Sequence, residues 1–287
     1  MPVGAGQNPT VRRRRLGLEL RRLRDGLDLK IEDVVNPLGW STSKLSRIET
    51  GRIGIRVADL ERLLDLYGMR AEPMRSELVA LARQTRQRGW WQAYGDTLGH
   101  AYQTIIALEG EASAIHTYEA LAVPGLLQTP AYARALIAAA GTDRHLNPDQ
   151  VDTLVAARMA RQSRLSRDAP PRLIAVIDEA GLRRQVGNAD VMRNQFRYLA
   201  EMNRMPTVAV HVLPFAAGAH TGMDGAFTIF EFEQDPHIVH TEGKTGAVVL
   251  DRIEDLDTYK QAFRALLDVA LDAEESVEFL AKLGNEM

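Results

Sequence analysis

The sequence predicts a mainly α protein of two domains: an N-terminal five-helix repressor-like helix-turn-helix domain, then an α+β domain with a small sheet. Three observations predict it. Residues 15–88 hold five short segments with apolar residues at helical spacing, separated by turn signals. From residue 89 onward, helical segments alternate with short β-branched runs. Charge divides at the same place: residues 1–88 carry 18 Lys+Arg against 11 Asp+Glu, and residues 89–287 carry 17 against 27. A basic head on an acidic body is the asymmetry expected when one domain faces phosphate.

In chain order, residues 1–11 (MPVGAGQNPTV) are expected to be a disordered N-terminus, and residues 12–88 a DNA-binding domain. The first helix is predicted over 15–25, with Leu16, Leu20 and Leu23 on one face. Others follow at 30–36, 42–50 and 57–67, the last with Leu60, Leu63, Leu64 and Tyr67 inward and Gly68 as its stop. A fifth spans 72–88, with Pro73 in its first turn. Residues 89–287 form the second domain. Helices are predicted there at 98–114, 130–140, 148–167, 179–186, 190–203, 254–271 and 274–283, and strands at 115–119, 172–178, 207–213, 226–232 and 237–241.

Composition narrows the chemistry. The chain has no cysteine, which excludes disulfides, thiolate metal sites and a cysteine nucleophile. No apolar run is long enough for a membrane span, and the first 15 residues lack the apolar core of a secretory signal, so a cytoplasmic location is expected. There is no G-x-x-x-x-G-K-[ST], G-x-G-x-x-G, G-x-S-x-G or helical H-E-x-x-H. Neither an enzyme nor a cofactor or metal site is expected. His237 and His240 would point to opposite faces of a strand and make a poor chelate. Asp178-Glu179 reads most simply as a helix cap at a strand-to-helix junction. Residues 214–225 read as a flap or as an ordinary strand connection.

The densest signal is residues 29–51, LKIEDVVNPLGWSTSKLSRIETG. Gly39 supplies a turn that favours positive φ between two short helices. Ser41 caps the next helix, and Trp40 with Leu45 forms a hydrophobic staple across that cap. Leu45 and Ile48 face inward, and Gly51 ends the helix in the left-handed region. Thr42, Ser43, Lys44, Ser46 and Arg47 are left outward. Such short polar groups and a cation on a helix entering the major groove can read base edges, so Thr42, Ser43, Lys44 and Arg47 are the candidate base contacts. Lys30, Arg52 and Arg56 flank them as candidate phosphate contacts. Pro37 falls in the last turn of the second helix and predicts that this helix ends early or is distorted.

The spacing G-x-S-x-x-x-L-S-x-I-E-x-G resembles the XRE/Cro-type repressor domain. That resemblance implies contacts from Thr42, Ser43 and Arg47, and a structural ion pair between Arg24 and Glu49. Val123-Pro-Gly-Leu-Leu-Gln-Thr129, Tyr132-Ala-Arg134, Arg158-x-x-Arg161-Gln162, Val176-Ile-Asp-Glu-Ala180, Leu182-Arg-Arg184, Val212-Leu-Pro-Phe215, Gly218, Gly225-Ala-Phe227 and Glu242 together resemble an actinobacterial, antitoxin-like family of regulators with a C-terminal domain of unknown function. His240-Thr241 departs from the aromatic that the family carries before Glu242. The resemblance implies a small partner protein encoded nearby. From the residues alone, Arg158, Arg161 and Gln162 share one helix face, read as a solvated face or as a carboxylate-binding or interdomain surface.

The expected function is sequence-specific binding of double-stranded DNA by a transcriptional regulator. Its second domain would sense a partner protein or ligand and support a homodimer. The alternative is an antitoxin-like protein-binding module with weak or partner-dependent DNA binding, a reading that Pro37 favours.

Overall fold

The structure is a computed structural model describing residues 9–84, 90–140, 146–233, 235–243 and 246–287. It is mainly helical and falls into two compact units, the first reaching Ala93 and the second holding a six-stranded sheet.

The first unit contains α1 (Pro9–Gly26), α2 (Ile31–Leu38), α3 (Thr42–Glu49), α4 (Val57–Leu66) and α5 (Met74–Gln84). Their apolar faces meet in one core of Leu16, Leu20, Val34, Val35, Leu38, Leu45, Ile48, Leu60, Leu63 and Leu64, with Tyr67 and Leu78 at its margin. Burying each such leucine or valine is worth about 1.5–3 kcal/mol, so short helices that would melt alone are held by this packing.

Two expectations are corrected here. The first helix begins at Pro9 rather than near residue 15, so residues 9–11 of the expected disordered tail are helical. Proline suits a first helical turn, and Val11 is buried. Residues 1–8, and residues 85–88 of the expected fifth helix, lie outside the described residues. Nor does Pro37 end α2 early: the helix continues to Leu38. Proline there removes one late hydrogen bond, while the terminus is closed past it by Trp40 N–H donating to Val35 O at 2.9 Å around the left-handed Gly39.

α6 (His100–Glu111) is divided, its residues Ile106–Glu111 counting with the first unit. The second unit contains β1 (Ala114–Glu119), α7 (Pro130–Ala140), α8 (Pro148–Gln162), β2 (Arg172–Asp178), α9 (Glu179–Arg183), α10 (Ala189–Met202), β3 (Val208–Leu213), β4 (Phe227–Glu231), β5 (Ile238–Gly243), β6 (Gly246–Leu250), α11 (Ile253–Val269) and α12 (Ala273–Glu286). The sheet order is β3-β2-β1-β4-β5-β6. β1, β2 and β3 run parallel, joined by helical crossovers, and β4, β5 and β6 return antiparallel. β2 (RLIAVID) is buried along nearly its whole length, as a central parallel strand with both faces covered should be. α11 lays Leu256, Phe263 and Leu266 against Tyr118, Ile174, Val176, Phe227, Ile229 and Val239 on one face.

The two sheet edges are finished differently. Beside β3, the Asn203 amide accepts from Val210 N–H at 2.8 Å, Ser276 Oγ accepts from Val212 N–H at 2.9 Å, and Leu271 N–H donates to Val212 O at 2.8 Å. β6 was not among the predicted strands. Its pairing with β5 runs from Val239–Leu250 to Gly243–Gly246. Gly-Ala-Val-Val-Leu after E-G-K-T-G carried a hairpin signal, two residues between paired glycines, but the run is only five residues long.

Candidate nucleic-acid interface

Local chemistry builds α3. Ser41, extended at φ −85°, accepts the Lys44 N–H at 3.1 Å on its Oγ and so satisfies one of the helix's first free donors. Gly39 before it has φ 66° and Gly51 after it φ 68°. Leu45, Ile48 and Glu49 are buried, and Trp40 packs on the same core.

Beneath the helix, Arg24 Nε and Nη2 donate to Glu49 Oε1 and Oε2 at 2.7 and 3.0 Å, while its Nη1 donates to Leu29 O at 2.9 Å. Both residues are buried. This two-pronged pair ties α1 to the last turn of α3. Burial and the Glu49 anion together push the neighbouring Tyr67 phenol well up from its ordinary value. α1 approaches α3 tightly at Gly17, where a Cβ would lie 2.5 Å from the carbonyl oxygens of Ile48 and Glu49. That glycine had no turn to announce it in the sequence.

Outward, Thr42, Ser43, Ser46 and Arg47 are exposed. Arg47 Nε donates to Ser43 O at 3.3 Å, and its terminal nitrogens have no protein partner among the described residues. Lys44 is different. Its Nζ pairs with Asp59 Oδ2 at 3.1 Å and lies 3.9 Å from the centre of the Trp40 ring. The lysine thereby ties α3 to α4 and leaves the outer face to Thr42, Ser43, Ser46 and Arg47. Lys30, Arg52 and Arg56 are exposed in the segments flanking α2, α3 and α4.

In the second unit, Arg158, Arg161 and Gln162 do not form a solvated face. Arg158 Nη1 donates to Gln128 Oε1 at 2.7 Å, and Gln162 Nε2 donates to Gln128 O at 2.6 Å and Gly125 O at 3.2 Å. Arg161 is buried, its guanidinium 4.7 Å from the Tyr102 ring centre and 3.3 Å from the Cβ that Gly125 lacks. From α10, the Gln195 amide donates to Leu127 O and accepts Thr129 N–H, each at 2.7 Å. Together α8 and α10 clamp residues 123–129 by their main chain. Although burial raises the Tyr102 phenol, Arg161 and Arg158 outweigh it and bring the phenol below its ordinary value. Glu119, at the end of β1, is pushed up to about 7 by burial and the Glu242 charge, against the pull of the two arginines.

The family described as Domain of unknown function (DUF5753) matches residues 102–282, well over half of the chain. The chain belongs to this family. The family described as Helix-turn-helix domain matches residues 15–78, which contain the whole arrangement around α3. No curated protein and no solved structure matches the chain.

Within the DUF5753 region, Asp178 caps α9, its Oδ1 accepting Ala180 N–H at 2.8 Å. It also gathers a group that no local pattern in the sequence announces: its Oδ2 accepts Tyr118 OH at 3.2 Å and lies 3.5 Å from His220 Nε2. Gly222 sits on the Tyr118 ring, where a Cβ would come within 2.4 Å. Residues 214–226 are an anchored connection, with Phe215 N–H donating to Glu179 Oε2 at 2.7 Å and Thr221 Oγ1 to Ala262 O at 2.9 Å. His237 and His240 belong to separate surroundings: His237 Nδ1 accepts Phe232 N–H, and His240 lies edge-on to Phe230. Among the described residues no cluster of three or more His, Asp or Glu side chains is arranged to hold a metal ion, and no helix is long and apolar enough to cross a membrane.

Proposed function

We propose that this DUF5753 protein is a cytoplasmic, sequence-specific DNA-binding transcriptional regulator of the XRE type and not an enzyme. Residues 12–88 would serve as the reader and residues 89–287 as the regulatory and self-associating domain. One observation carries the reading. α3 is capped, stapled and ion-paired from beneath, so that Thr42, Ser43 and Arg47 stand together on its free face with Lys30, Arg52 and Arg56 around them. A helix presented in this way enters the major groove N-terminus first. Arg47, with its terminal nitrogens available, suits a two-pronged contact to guanine worth about 1–3 kcal/mol of discrimination. The flanking cations suit phosphate, which positions without specifying. Lys44, engaged by Asp59, holds the reading helix in place rather than reading.

A protein partner for the DUF5753 region is a second element of this reading, favoured by Leu121, Phe215 and Met223. These large apolar side chains are 64%, 59% and 72% exposed, and all lie in connections at the end of the sheet where β1 and β3 finish and β4 begins.

Fluorescence anisotropy against the protein's own upstream duplex and a scrambled duplex, over a salt series, tests the reader. Specific binding with a steep negative log–log salt slope is expected. Arg47→Glu should abolish the preference between the two duplexes while leaving the melting temperature unchanged. Equal, salt-sensitive binding to both duplexes by the unaltered protein would refute the sequence-specific reading.

A further inference from the structure

We propose that β6 is the self-association surface of this protein and that two copies pair their β6 strands antiparallel, joining two six-stranded sheets into one. The argument starts from the contrast between the sheet's two edges. Outside β3, the polar groups of Val210 and Val212 are taken by Asn203, Leu271 and Ser276. Outside β6, no backbone or side-chain hydrogen bond engages residues 246–250 among the described residues, apart from the pairing with β5. An open edge is a row of donors and acceptors ready for another strand, and monomeric proteins guard such edges with lysine, proline, bulges or a covering helix. Gly246-Ala-Val-Val-Leu250 holds neither charge nor proline, and Val248 stands 55% exposed on it.

Charge and symmetry favour a second copy as the occupant. Residues 89–287 carry 27 acidic against 17 basic side chains, so two such bodies carry like net charge and gain nothing from charged faces brought together at random. The uncharged strand Gly246–Leu250 is a place where they can meet without opposing like charges. Antiparallel pairing of one strand with its own copy is isologous: a single contact satisfies both open edges and closes the assembly at two. A dimer of this kind supplies the two heads that a two-fold operator needs, so the inference deepens the regulator reading at that point. The pairing itself requires no DNA.

The test uses the full chain without DNA, by light scattering after size exclusion and by thiol cross-linking. Because the chain has no cysteine, Ala247→Cys, Val248→Cys and Val249→Cys each introduce its only thiol. Facing positions of an antiparallel pair lie within disulfide reach. A dimeric protein is expected to cross-link between copies at one or more of these positions, and a thiol placed at exposed Met223 is expected not to. Val248→Lys should yield a monomer with unchanged circular dichroism, and Val248→Thr should remain dimeric. A monomeric unaltered protein would overturn the proposal. So would a dimer that persists in Val248→Lys without cross-linking along β6. Arg47→Glu should cross-link as the parent does, which separates failure of this surface from failure of the DNA-reading helix.

Discussion

Glu119 shows how one side chain can make stability depend on pH. Burial and Glu242 raise its carboxyl to about 7 from an ordinary 4.5. Below the ordinary value the group is protonated whether the chain is folded or not. As pH climbs through the interval up to the folded value, the unfolded chain gives up its proton first, and stability falls. Glu119→Gln keeps the shape and cannot ionise. In urea denaturation it should exceed the parent by about 1–3 kcal/mol at pH 8 and match it at pH 4. An equal effect at both pH values would show that the carboxyl charge is not what burial disfavours. The sequence marks Glu119 only as the last residue of a short strand. Its environment is assembled by Arg158 and Arg161 on α8 and by Glu242 on β5, all more than thirty residues further along the chain.

At the scale of elements, α1 and α3 meet so closely that the contact tolerates no side chain at Gly17. Gly17→Ala would ordinarily strengthen a helix. Here its methyl collides with the main chain of Ile48 and Glu49, so a loss of about 1–3 kcal/mol is expected, together with weaker operator binding because α3 is displaced. Gly26→Ala, with nothing within 4 Å of the added carbon, serves as the control. A neutral or stabilising Gly17→Ala would show that the crossing has slack.

What could be read from sequence follows the same division between near and far. The cap at Ser41, the staple of Trp40 and Leu45, and the left-handed Gly39 and Gly51 are interactions within about ten residues, and local spacing encodes them. Pro37 misled because a single missing hydrogen bond matters less than the closure at Gly39 and the burial of Val34, Val35 and Leu38. Pro9 misled because its flanks are rich in small and polar residues, while Val11 provides an anchor. The clamp on residues 123–129 and the Asp178–Tyr118–His220 group depend on elements distant in the chain coming together, which spacing along the chain does not carry, while β6 escaped because its run is only five residues long.

Across the second unit, the imidazoles set the acid limit. His116 is stacked on Phe263 with ring centres 5.2 Å apart, and burial lowers it from an ordinary 6.5, with Arg172, Lys260 and His237 adding to that and Glu231 opposing it. His237 is lowered by burial and by Lys260. Both shifts favour the neutral ring in the fold, so the stability they secure is complete above 6.5 and is lost as pH falls, because the unfolded chain takes up protons first. In a Glu119→Gln background, which removes the opposing carboxyl, thermal melts should decline between pH 7 and 5.5, and adding His116→Phe, which keeps a ring against Phe263, should flatten that decline. A Glu119→Gln curve that stays level over this interval would count against the two histidines.

The grip on residues 123–129 has a different character. Gln128, Gln162 and Gln195 hold that segment through amide-to-main-chain bonds. Amides carry no net charge and gather no counterions, so ionic strength has little purchase on these contacts. Raising salt enough to strip a duplex from the head should leave this part of the DUF5753 region in place. Loss of DNA binding at high salt would then be a property of the head's charges and not of unfolding in this region.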